Sequence, residues 1–350
     1  MNKTNNKKKK IVIGIILILI FAACFIPNPE KPSCNAKNRL EIISAYGDNE
    51  AYHPKVLNFK EKWNGYKYWM SYTPYPKGDD AKENPHIAAS NDLVNWETPK
   101  GLVNPLDTPD ETIPQKRYNS DSHIVYNNDL DRMECYWRYV DDKEDKAIMY
   151  RCYTKDGIHW SKKEISAIGT PRQEHDYVSP SILYENGLYK MWYIDKNNTL
   201  KYTTSKDGMN WQQDKILPFS YEENVKTWHI DIIHTKEQYE MIAVAYENWK
   251  KHNDMSLYYS TSEDGIHWKK AKVILRPTVN TKNWDNRGIY RSSFIYENGM
   301  YYLYYSGTSK DLHHGIGLMY GENIYKLKVN KTNYRNIREK EKLKRRMKMI

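Results

Sequence analysis

Five residues at matching places in the chain are of types that could do chemistry together. Val56, Ile124, Ile182, Ile232 and Phe294 occupy equivalent positions in five similar apolar stretches, and three residues upstream of them lie His53, Asp121, Ser179, His229 and Arg291. Four of these five are ionisable. A charge at the start of a buried strand costs several kcal/mol unless it is paired or wet. A polar site facing one axis therefore explains the set better than packing does; a water-filled channel with a merely solvated lining is the blander account. Asp121 is the best placed carboxylate for acid–base work, and Glu174 or Asp176 in "RQEHDYVSPS" is the expected partner. Asp48 and Glu50 in "GDNEAYHP" are weaker candidates, better read as loop residues. His53 could orient a hydroxyl or act as a base. Arg291, like Arg172 and Arg117, would suit a carboxylate or phosphate through a two-pronged contact. His229, Asp231 and Trp228 complete the expected binding set, while Trp69, Trp137 and Trp192 read more simply as core.

Positioning such a ring requires five equivalent elements, and the chain repeats itself accordingly. "TKDGIHW" at 154–160, "SKDGMNW" at 205–211 and "SEDGIHW" at 262–268 are copies of one turn, with a worn version, "SNDLVNW", at 90–96. Asp caps such a turn by accepting backbone N–H bonds, Gly takes a positive φ, and Trp needs a neighbouring sheet to cover it. A second element recurs upstream, clearest in "SPSILYENGLYKMWYID" at 179–195 and "RSSFIYENGMYYLYYSG" at 291–307, which read as hairpins of alternating aromatic strands. Laid together they predict five units opening at 53, 121, 179, 229 and 291, with four strands each. A long β-sandwich would not need the same turn at the same point of each unit. The expectation is an all-β chain folded as a five-bladed β-propeller.

Composition agrees, with 31 Tyr and 11 Trp against 5 Phe in 350 residues. The net charge of +10 sits at the ends: five Lys in residues 1–10, and eleven Lys/Arg against two Glu in 326–350. With no basic face left to the body, nucleic acid is not an expected partner. "MNKTNNKKKK" followed by "IVIGIILILIFAACFIP" has the form of an export signal, with Cys24 as the lipidated residue of a bacterial lipoprotein, or of an uncleaved anchor. That predicts a body held at the extracytoplasmic face of a bacterial cell membrane. The expected division is 1–24 signal or anchor, 25–44 linker, 45–328 propeller and 329–350 basic tail, in a monomer. Cys34 stands alone, whereas Cys135 and Cys152 fall on neighbouring predicted strands, as a disulfide or as two buried thiols. The tail reads as a solvated segment or one drawn to anionic headgroups. P-loop, GxGxxG, HExxH and GxSxG motifs are absent from the sequence.

The turns, the "PSILYENGLYKMWY" strands and the five units resemble the five-bladed glycoside hydrolase superfamily, which includes glycoside hydrolase families 43, 32, 62, 117 and 130, over roughly residues 45–325. The resemblance implies an axial funnel that binds a glycan, worked by carboxylates ~5 to 9 Å apart across the scissile bond. The family 43 pattern places an Asp at the head of blade two, matched by Asp121, but its base position holds His53 and its acid position holds Val178. His229 resembles a blade-four histidine that lies by a calcium ion or water in the channel. The resemblance thus implies a glycoside hydrolase with a displaced acid. A non-catalytic glycan-binding propeller is the second reading; a phosphorylase holding phosphate through Arg and His, or a lyase, is the third.

Overall fold

Alternating aromatic and small apolar residues build nineteen strands among the described residues, 38–247, 254–279 and 283–329, of the computed structural model. They form five antiparallel sheets. Blade 1 is β1 (Ala51–Trp63), β2 (Tyr66–Pro74) and β3 (His86–Ser90); blade 2 is β4 (Arg117–Asn127), β5 (Arg132–Asp141), β6 (Lys146–Thr154) and β7 (Glu164–Gly169). Blade 3 is β8 (Val178–Glu185), β9 (Leu188–Ile194), β10 (Leu200–Ser205) and β11 (Lys215–Ile216). Blade 4 is β12 (Val225–His234), β13 (Tyr239–Glu247), β14 (Ser256–Ser262) and β15 (Lys272–Leu275). Blade 5 is β16 (Gly288–Glu297), β17 (Met300–Thr308), β18 (His314–Gly321) and β19 (Lys328–Val329). The first strands β1, β4, β8, β12 and β16 contact one another in a closed ring, as the five-bladed propeller requires.

Two details depart from the expected pattern. Blade 1 has three strands: after the turn, Glu97 makes a single bridge to Ala89, and Pro99 and Pro105 then deny the backbone donors a fourth strand would use. Residues 38–42, read as linker, belong to the propeller. Leu40 N–H donates to Ile316 O at 2.8 Å, Arg39 bridges Gly317, and Leu40 and Ile42 are buried against blade 5 and blade 1. The signal segment with Cys24, Cys34 and nearly all of the basic tail lie outside the described residues. Cys135 and Cys152 face each other in register on β5 and β6 as buried free thiols.

Five apolar clusters fill the five joints between blades. The repeated turn locks four of those joints. In each copy the Asp side chain accepts two backbone N–H bonds, as Asp264 does from Ile266 and His267 at 2.8 Å each. This folds the Gly against the preceding blade: Gly157 meets Trp69, Gly208 meets Tyr136, and Gly265 meets Trp192, whose Nε1–H donates to Gly265 O at 2.8 Å. The worn copy does the same with Leu93, at φ 71°, whose carbonyl accepts from the Tyr304 hydroxyl of blade 5 at 3.0 Å. Gly265 has φ +76°, and a Cβ there would stand 2.9 Å from the Trp192 ring. Gly265→Ala is expected to cost about 1–3 kcal/mol through backbone strain and that clash, read as a lowered melting temperature.

Candidate functional site

All five inner strands carry a one-residue bulge near their heads, between Tyr52 and Lys55, Ser120 and His123, Val178 and Ser181, and Tyr290 and Ser293, and one residue earlier in blade 4, between Thr227 and His229. A bulge re-aims the side chain it carries. His53, Asp121 and Ser179 adopt φ 50°, 53° and 53° there, left-handed conformations uncommon outside glycine. Such strain gathers where function demands a side-chain direction that regular strand cannot give.

The bulges of blades 1, 2 and 4 bring His53, Asp121, Trp228 and His229 around an axial cavity of about 140 Å3, which Tyr290 of blade 5 also lines. Asp121 Oδ1 lies 3.5 Å from His229 Nδ1 and 3.8 Å from Arg291 Nη1, and Oδ2 lies 3.9 Å from Arg138 Nη1. Burial would raise the Asp121 pKa, but His229, Arg291, His53 and Arg138 outweigh it and hold the carboxyl at about 2. Asp121 is an anion at any working pH. His53 Nδ1 lies 2.8 Å from Thr73 Oγ1 and 3.1 Å from Glu83 Oε1, while its Nε2 has no hydrogen-bond partner. With Nδ1 carrying the proton toward those oxygens, Nε2 is left as a bare acceptor. Burial drives His53 well below its ordinary pKa, against the pull of Asp121, so the ring is neutral.

Glu83 was not among the residues the sequence singled out. It sits in the stretch Tyr75–Pro85, the longest connection between a second and a third strand in the propeller, which carries Tyr75, Asp80 and Glu83 to the cavity wall. That length was the signal available. Burial pushes the Glu83 pKa well above the usual carboxylate range, and the charges of Asp121 and Asp80 push it further, so Glu83 keeps its proton.

The expected acid partners are placed elsewhere. Glu174 lies on an exposed loop beside His175 and does not line the cavity. Asp176 is fully buried, but its two oxygens take a fork from Arg138 at 2.5 and 2.7 Å, with Arg172 at 3.3 Å and Lys196 at 3.9 Å. Those cations hold its pKa down against burial, which makes Asp176 the anchor of Arg138 and no proton donor. Asp231 lies off the cavity wall, tied to Lys55 at 2.6 Å and Ser293 at 2.9 Å. It is an internal counter-ion where a ligand contact was expected. Arg291 sits behind Asp121, donating to the carbonyls of Ser122 at 2.8 Å and Pro180 at 3.1 Å. Ser179 bonds Ile230 of the next blade, and Arg117 pairs with Glu111 and Asp141. Trp228 does reach the cavity, its Nε1–H held by Tyr290 at 3.0 Å. Trp69, Trp137 and Trp192 are core. A calcium ion at His229 does not fit, because calcium takes oxygen ligands and His229 offers nitrogen. Among the described residues, no group of three or more His, Cys, Asp and Glu side chains is arranged to hold a metal ion.

No family model matches the chain. The A type blood N-acetyl-α-D-galactosamine deacetylase of Flavonifractor plautii is 31% identical over 326 aligned residues, covering 77% of this chain and 41% of that protein. The chain therefore spans about two-fifths of the length of that relative. A crystal structure of an N-acetylgalactosamine deacetylase from F. plautii, in complex with blood group B trisaccharide, superposes with a TM-score of 0.74 at 24% identity, over 82% of this chain and 94% of that one. An exo-1,5-α-L-arabinanase from a bovine ruminal metagenomic library gives a TM-score of 0.55 at 14% identity, over 78% and 94%. By fold, the chain belongs with the five-bladed β-propellers that include the arabinanase-type glycoside hydrolases and the N-acetylgalactosamine deacetylase.

Proposed function

We propose that the chain is a glycan-processing hydrolase whose axial cavity takes an amino sugar and cleaves its N-acetyl amide. One observation carries this reading: a neutral imidazole with a bare Nε2, an ionised Asp121 and a protonated Glu83 face a single cavity. In the reaction, His53 Nε2 takes a proton from water as the oxygen bonds to the amide carbon. Asp121 stabilises the imidazolium that forms. Glu83 gives its proton to the departing nitrogen as the C–N bond breaks, leaving acetate and a free amine. Proton exchange with water then restores both side chains. The likeness to the deacetylase supports this reading, as does Val178, a buried apolar residue where the family 43 pattern has its acid.

A second reading, glycosidic bond cleavage, is favoured by the two carboxyl groups whose pKa values are driven apart, since that division assigns Asp121 as base and Glu83 as acid. Incubation with a panel of N-acetylated glycans separates the two. Acetate without new reducing ends supports the first reading, and reducing ends without acetate the second; binding with neither product leaves a binding propeller.

The pH dependence has a defined shape. His53 titrates below its ordinary 6.5 and Asp121 at about 2, so kcat/KM should reach its plateau before neutrality. The alkaline limb belongs to Glu83, which acts as a donor until pH rises through its elevated pKa. Glu83→Gln should lower the rate by about 10²-fold and remove that limb. An unchanged alkaline limb would assign it to another group.

The leader ending in "FAAC" supports a further element of the proposal, tethering of the propeller outside the cytoplasmic membrane through Cys24. Metabolic labelling with palmitate, lost in Cys24→Ala, tests it.

A further inference from the structure

A second and roomier cavity adjoins the first. It measures about 360 Å3 and shares Tyr75, Gln115 and Tyr290 with the axial cavity, so the two are neighbours across those side chains. One wall is aromatic: Tyr52 stacks on Tyr290 at 5.2 Å with 13° between planes, and Tyr75 lies near-parallel to Tyr52 at 6.2 Å and 18°. Tyr52 is buried, whereas Tyr75 and Tyr290 are half-buried, and the flat faces of those two suit the C–H faces of a sugar ring. Arg287, half-buried just before β16, also lines this cavity. The other arginines at the axial end of the propeller have committed partners, Arg138 and Arg172 on Asp176 and Arg291 on two carbonyls. Arg287 differs: among the described residues, no aspartate or glutamate lines its cavity and no ion pair engages it. A half-buried guanidinium without a carboxylate beside it is suited to an incoming anion held by two parallel N–H bonds.

We infer that this second cavity is a flanking subsite for an anionic sugar, in which the residue adjoining the amino sugar bears a carboxylate or sulfate held by Arg287. The inference rests on the reading that the axial cavity receives an amino sugar. Arg287 then selects acidic glycans over neutral ones, and the tyrosine wall supports the ring that carries the charge.

Calorimetric titration of the full chain carrying Asp121→Asn, which holds substrate without turning it over, tests this. Three disaccharides are compared, each an N-acetylhexosamine linked to a neutral hexose, a hexuronate or a sulfated hexose. At least one anionic disaccharide should bind ten-fold or more tightly than the neutral one, and which of the two does so identifies the source of the charge. Adding Arg287→Gln should reduce the gap below about two-fold, whereas Arg287→Lys should keep part of it. In the parent, raising salt from about 0.05 to 0.5 M should narrow the gap, as screening requires. Equal affinity for all three, a gap that survives Arg287→Gln, or no binding of any would overturn the inference. Acetate release by the wild-type chain from the neutral disaccharide is scored separately. A binding gap without acetate leaves the subsite standing and removes the deacetylase reading, and acetate without a gap does the reverse.

Discussion

Asp121→Asn should lower kcat/KM for acetate release by about 10²–10⁴-fold while leaving the propeller folded. Asparagine keeps the shape of the side chain but cannot supply the negative charge that steadies an imidazolium forming at His53. The arginines beside it hold hydrogen bonds that do not involve that charge. Arg138 keeps its fork on Asp176, and Arg291 keeps the carbonyls of Ser122 and Pro180. Acetate release measured beside the melting temperature checks both halves of the expectation. Activity within three-fold of wild type would remove Asp121 from the reaction.

The largest effect on stability is expected beneath the cavity. Lys55 Nζ donates to Asp231 Oδ1 at 2.6 Å, with side-chain exposures of 3% and 2%, and Asp231 also accepts from Ser293 at 2.9 Å and Ser181 at 3.4 Å. Those four residues come from blades 1, 4, 5 and 3, so a single carboxylate joins four of the five sheets at the axis. Lys55→Met would leave that carboxylate buried without its cation and should cost about 3–5 kcal/mol in guanidinium unfolding. The double variant Lys55→Met, Asp231→Leu should recover much of the loss, because it removes both charges. A cost below about 1 kcal/mol for the single variant would mean that water reaches Asp231 and screens it.

What the sequence disclosed divides along the line between local and non-local chemistry. The turns are local: Ser or Thr, Asp, Gly and Trp at fixed offsets encode their own hydrogen bonds, and the five units follow from them. The ring of inner-strand heads was legible for the same reason, since an overlay of equivalent strands brings His53, Asp121 and His229 together without knowledge of any contact. Glu83 was hidden because it rides on a loop, where no period fixes position. Asp176 and Asp231 misled for a different reason. Each is an acidic residue close in sequence to an inner-strand head, and only the cations brought by other blades, Arg138 and Lys55, show that their charges are already committed.

Four joints of the propeller are keyed by a turn seated on an aromatic ring, and the fifth, between blades 4 and 5, is not. That joint is instead held by an apolar cluster running from Ile242 through Phe294 to Leu327, together with side-chain bonds from Trp228 to Tyr290 at 3.0 Å and from Ser293 to Asp231 at 2.9 Å. Blade 5 carries Tyr290 and follows Arg287, while Asp121 belongs to blade 2 and Glu83 to the long loop of blade 1. The one seam without a turn is thus pinned by residues that also wall the cavity, so that a substitution at Trp228 or Tyr290 would disturb the joint and the site together.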